Sequence, residues 1–157
     1  MNTELNIAHF ENSEHRDKLV ELSNSASKQI LTNWAFQISK HAYEECGIRY
    51  EDIPFVIEGY LTLTLWLDNK AQLSDLRREF FQIEKFRRMY NQSALVYRAL
   101  AQSAACAVGS PTITGKSLAS SDYAIKAIWE HFNHDMDKVN EERIYQMELL
   151  NKLLENN

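Results

Sequence analysis

The stretch GSPTITGKS, Gly109 to Ser117, approaches the phosphate-binding fingerprint G-x-x-x-x-G-K-[ST]. In such a loop backbone N–H groups wrap the phosphates, the Lys reaches the terminal ones, and the hydroxyl ligates magnesium. Gly115, Lys116 and Ser117 fit, but Gly109 stands one residue too early and Ser110 occupies the first Gly position. The fingerprint also requires a buried strand ahead of it. What precedes Gly109 is ALVYRALAQSAACAV, an Ala-rich stretch of helix formers. The segment therefore reads as a helix end at Val108, with Gly109 as its cap and Pro111 blocking continuation. A Gly-Lys-Ser turn ahead of a helix could still hold a small anion on Lys116.

The metal-ligating types meet locally in EHFNHD, where His131 and His134 stand three apart and Asp135 adjoins them. On one helical face two His at that spacing can share a metal, but a working site needs a third or fourth ligand. His residues at a helix end are also ordinary partners for its exposed carbonyls. They are weak metal candidates, and no cofactor is expected. Adjacent carboxylates occur at Glu44 and Glu45, Glu51 and Asp52, and Glu141 and Glu142. Neighbours in sequence do not face each other on a helix, so these pairs read as surface charge rather than acid/base machinery. No Ser-His-Asp or Cys-His order stands out, and the expectation is a protein that is not an enzyme.

The bulk properties narrow the class. A chain of 157 residues, 45% of them hydrophobic, can bury one core, so a single domain over 1–157 is expected. Four Gly and two Pro argue for long helices over turn-rich β structure. Cys46 and Cys106 are too few for a disulfide framework and read as buried thiols of a cytoplasmic protein. The first eighteen residues lack the basic and apolar pattern of a secretory signal, and the longest apolar run, YLTLTLWL, is far too short to span a bilayer.

The net charge of −5 is unevenly placed: residues 1–60 carry −5, residues 61–100 carry +3 and residues 101–157 carry −3. An acidic chain is a poor nucleic-acid binder but suits a basic protein partner. Neither nucleic acid nor membrane is expected as a partner.

These groups must be positioned by helices. Ile30, Leu31, Trp34, Ala35, Ile38 and Ala42 share one helical face, Gly47 ends that helix, and a weaker turn around HRDKLVELS precedes it. A second helix starts near Asp52 and Pro54 and runs through Ile57, Leu61, Leu65 and Trp66, although LTLTLWL alternates like a strand. Ser74 is the expected N-cap of a third, with Leu76, Phe80 and Ile83 inward and Arg77, Arg78, Lys85 and Arg88 as a solvated basic side. A fourth runs from about Gln92 to Val108, and its small residues suit close helix packing. A fifth starts near Ser120 or Ser121, and a last carries Val139, Arg143, Met147, Leu150 and Leu154 along one face. The three Trp fall in apolar stripes and read as core. The prediction is an all-α bundle of six or seven helices, with residues 1–13 weakly ordered.

Three stretches also carry a resemblance. TNWAFQISKHAYEE, IEGYLTLTLWLDNKAQLSDLRREFFQIEKFRR, and YRALAQSAACAVGSPTITGKSLASSDYAIKAI with its D-Y-A-x-K-A signature at Asp122 to Ala127, followed by EERIYQMELLNKL, resemble a family of bacterial immunity proteins from polymorphic toxin systems. The likeness spans most of residues 30–153, departing from the family pattern at Cys106 and Thr112. It implies a non-enzymatic protein that neutralises a cognate toxin domain by occlusion. Charge then nominates the toxin-binding residues Glu44, Glu45, Glu51 and Asp52, with Asp135, Asp137, Glu141 and Glu142. The alternative is a helical oligomerisation or scaffold protein, a homo-oligomer packed through its small-residue helices.

Overall fold

The computed structural model describes residues 13–157. Among them the elements are α1 Ser13–Ser23, α2 Lys28–Glu45, a 3-10 turn Tyr50–Asp52, α3 Pro54–Leu67, α4 Leu73–Arg87, α5 Leu95–Gly109, α6 Lys116–His131 and α7 Met136–Glu155. The all-α expectation holds, with seven helices and no strand among the described residues. The weak order expected of residues 1–13 concerns a segment of which residues 1–12 lie outside the described residues.

Helix ends follow local chemistry where the sequence offers it. The Ser27 hydroxyl accepts the Ile30 N–H at the start of α2. At its end Gly47 takes φ +66°, and the Ile48 and Gly47 N–H groups donate to the Tyr43 and Glu44 carbonyls, the paired bonds of a Schellman cap. Pro54 opens α3 at a position that lacks an intrahelical N–H partner anyway. YLTLTLWL is helical despite its alternation, and the hydroxyls of Thr62 and Thr64 donate back to the carbonyls of Glu58 and Tyr60.

Three boundaries differ from expectation. The N-cap of α4 is Gln72 rather than Ser74: its side chain and that of Asp75 bond each other's backbone reciprocally in a capping box. Helix α5 starts at Leu95, after a turn in which Asn91 accepts the N–H groups of Ser93 and Ala94. It continues through Gly109, which is helical and not its cap. A Cβ there would lie 2.7 Å from the Phe80 ring, so this glycine serves close packing of α5 on α4. Helix α6 begins at Lys116 behind Gly115, whose φ is +85°, one turn ahead of the expected Ser120 or Ser121.

Helix α2 sits centrally, packed by α3, α5, α6 and α7. Trp34, Ile38, Leu63, Leu76, Ile83 and Leu100 are fully buried around it. Trp66 and Trp129 are only partly buried. The small residues Ala101, Ala104, Ala105, Ala124 and Ala127 are fully buried inside the chain, where α5 and α6 approach closely. The small-residue surface that a scaffold reading would use between subunits is thus spent within the monomer. The Cys46 and Cys106 thiols are buried, which pushes both up to about 12 and leaves them protonated and inert.

Candidate protein-binding site

Asp122, first residue of the D-Y-A-x-K-A signature, is buried and carries a structural charge. Its carboxylate accepts from Arg143 Nη2 at 2.6 Å and from Arg16 Nη2 at 2.9 Å. Arg143 is fully buried, and its other Nη donates to Gln146 Oε1 at 2.8 Å and to the Ser121 hydroxyl at 3.3 Å. Gln146 closes the network by donating to the Ser121 carbonyl and accepting the Trp34 indole N–H on its own carbonyl at 2.9 Å. Every charge here has an opposite partner and further hydrogen bonds, the condition under which buried ions are tolerated. The network ties α1, α2, α6 and α7 together, and it faces inward.

The surface feature lies on the other side of α7. His41 of α2 lies between two carboxylates: its Nδ1 is 3.0 Å from Glu142 Oε2 and its Nε2 is 3.4 Å from Glu45 Oε1. Its ring stacks on Tyr145 at 3.7 Å between centroids. Around this contact opens a cleft of about 200 Å³ lined by His41, Glu45, Phe132, Lys138, Glu141 and Tyr145, with Glu142 at its base. A shallower depression lined by Glu44, Arg49, Tyr50 and Glu51 continues the edge. Burial disfavours the charged imidazole of His41, but the hydrogen bond and charge of Glu142, with Glu45 and Glu44, outweigh it and hold the ring above its ordinary value. Burial raises the Glu142 carboxyl, partly countered by His41.

The fold therefore brings together acidic segments about a hundred residues apart. Glu44, Glu45, Glu51, Asp52 and Glu141 are exposed along this edge or its continuation. Glu142 is a correction: its side chain is only 3% exposed and is committed to His41, so it is not surface charge. Asp135 and Asp137 are exposed, but Asp135 caps α7 by accepting the Asp137 N–H at 2.9 Å. His131 and His134 do not share a helical face. Helix α6 stops at His131, Asn133 and His134 take positive φ, and the His134 ring folds onto Trp129 at 3.6 Å, with its Nε2 3.7 Å from Glu130. No group of three or more metal-ligating side chains gathers among the described residues. Lys116 leans over the Phe80 ring, 5.6 Å from its centroid, so its apolar stem and charge are both engaged with α4. Sequence reasoning missed His41 and Tyr145; each sits one turn from a nominated carboxylate, at His41/Glu45 and Glu141/Tyr145, and that spacing was the available signal.

An all-helical chain whose buried charges are internally satisfied and whose acidic edge stays open defines a class: a protein offering a preformed surface to a partner. The particular family follows from comparison: residues 21–153 match the family described as Imm-5 like putative immunity protein, and the chain belongs to it. No curated protein and no solved structure matches the chain. No helix among the described residues is long and apolar enough to cross a membrane.

Proposed function

We propose that this chain is a non-enzymatic immunity protein that binds a cognate bacterial toxin domain in the cytoplasm of the producing cell and neutralises it by occlusion. Family membership supports the toxin partner in general. The observation that carries the contact surface is the convergence of Glu44 and Glu45 with Glu141 across the His41 cleft. Carboxylates held along a fixed edge present a negative field, which speeds encounter with a basic surface and selects against acidic ones. A toxin that acts on nucleic acid carries such a basic surface over its active site, because it must hold phosphates. Covering that surface excludes the substrate.

The test is calorimetric titration of the purified protein with the toxin-like domain encoded beside it, at low and high salt. A nanomolar complex that weakens as salt rises is expected. No binding at either salt concentration would sink the reading, and tight binding indifferent to salt would keep the immunity role while removing the acidic edge from it.

A further inference from the structure

Helix α4 turns an unpartnered face to solvent. Its inward side is Leu76, Phe80 and Ile83, and its outward side carries Arg77, Arg78, Lys85 and Arg88 around two apolar side chains, Phe81 at 62% and Met89 at 74% exposure. Arg77, Phe81 and Lys85 follow one another at i, i+4, so cation and ring alternate along a single row. Among the described residues Arg77, Lys85 and Arg88 form no ion pair, and Arg78 has only the exposed contact to Asp75 at 3.3 Å. Large apolar side chains left in water between unpaired cations mark an interaction surface rather than a merely solvated helix side.

The chemistry that fits this face is present on the same chain. The outward face of α7 sets Ile144, 42% exposed, between Glu141 and Glu148, beside Glu44 and Glu45 of α2. Helix α4 packs on α3 and α5, whereas α7 packs on α1, α2 and α6, so the two faces belong to different layers. We infer that the occupant of the α4 face is a second copy of this chain, presenting its α2/α7 edge. Cations meet carboxylates, and Phe81 and Met89 meet Ile144. The two surfaces differ, so the contact is heterologous: it repeats head to tail and yields open, concentration-dependent chains rather than a closed dimer. The same edge that serves the toxin in the reading above would be covered at each junction, making toxin and self-association mutually exclusive.

Sedimentation equilibrium of the full chain, without toxin, tests this. Weight-average mass should rise with concentration at low salt and return to the monomer value at about 1 M salt, where the Debye length is about 3 Å. Two sets of exposed substitutions, R77E/R78E/K85E/R88E on α4 and E44K/E45K/E141K on the edge, should each give monomer with an unchanged circular dichroism spectrum. Mixing the two variants should restore association, because each supplies the charge the other reversed. A wild-type monomer at every concentration, or a mixture that stays monomeric, would overturn the inference. So would wild type that pellets with phosphatidylserine vesicles but does not self-associate, which would assign the α4 face to anionic lipid. Failure here leaves the toxin reading intact, since no toxin enters the measurement.

Discussion

Asp122 accepts from two arginines, one of them fully buried, so its loss strands a charge in the core. Breaking a buried pair on one side costs about 3–5 kcal/mol, because the remaining ion has neither water nor partner. D122N should therefore lower stability by about that amount in urea unfolding, and D122N/R143M should recover part of it, because the stranded guanidinium is gone. Equal midpoints for single and double variants would show that Arg143 finds its solvation elsewhere. The His41 and Glu142 pair makes a second residue-scale prediction, in pH. Both groups titrate above their ordinary values, 6.5 and 4.5, so folding favours the protonated form of each. Glu142's contribution is complete below its unfolded value and fades as pH rises through its folded one; His41's is complete below about 6.5 and fades above that. Stability should fall between pH 6 and 8 as the imidazole loses its charge beside a buried carboxylate. E142Q should flatten that fall and lower the His41 pKa seen by NMR; an unchanged slope would exclude the pair as its source. Arg143 fell on the predicted core face of α7, yet its partner Asp122 lies on another helix and no spacing announced the pair. Glu142 was misread for the same reason: burial is decided by what α2 places opposite it.

Helix existence was legible because apolar periodicity is written along each segment; helix ends were less so. Ser74, Ser120 and Ser121 are favourable cap residues, but Gln72 with Asp75 satisfies the start of α4 reciprocally, and Ser120 is buried mid-helix. There its hydroxyl donates to the Ser103 carbonyl at 2.8 Å while the Ser103 hydroxyl donates to the Ser120 carbonyl at 2.8 Å, stitching α5 to α6. A serine at a tight helix crossing and a serine at a cap look alike in sequence. Glycine is ambiguous in the same way, and the two helical glycines allow a controlled comparison. A Cβ at Gly109 meets the Phe80 ring at 2.7 Å, whereas at Gly59 it meets the terminal Cδ1 of Ile83 at 2.8 Å. Each substitution gains about 1 kcal/mol of helix propensity. Overpacking costs about 1–3 kcal/mol and falls harder where a ring rather than a chain end must move. G109A should therefore destabilise by about 1–2 kcal/mol in urea unfolding and G59A by clearly less. Equal losses would mean that Phe80 yields as easily as Ile83, and the close approach of α5 to α4 would not explain the glycine.

For the whole molecule, the signs of the charge blocks could be counted from the sequence, but their placement depends on tertiary packing. The acidic residues near 44 and near 141 form one edge only because α7 packs beside α2 with His41 between them. That arrangement separates two roles that the sequence merged into one list of carboxylates. Glu44, Glu45 and Glu141 face solvent, so their charges shape the field without supporting the fold, whereas Glu142 supports the fold and is hidden from a partner. The edge is also preformed, since the cap at Gly47 and the Asp122 network fix α2 and α7 before any partner arrives. Electrostatic steering by such a surface raises association rates by roughly 10- to 1000-fold at low ionic strength, and the gain disappears as salt screens it. E44K/E45K/E141K should thus slow association with the toxin domain by at least about tenfold at low salt and flatten its salt dependence. Stability should stay within about 0.5 kcal/mol of wild type, as exposed substitutions away from packing features do. E142Q should do the reverse, changing the pH dependence of stability while leaving the association rate near wild type. Stopped-flow association at two ionic strengths, read beside urea unfolding of the same variants, separates the two roles. If the triple reversal left the low-salt rate unchanged, encounter would have to run through another face, and the acidic edge would keep no part in toxin recognition.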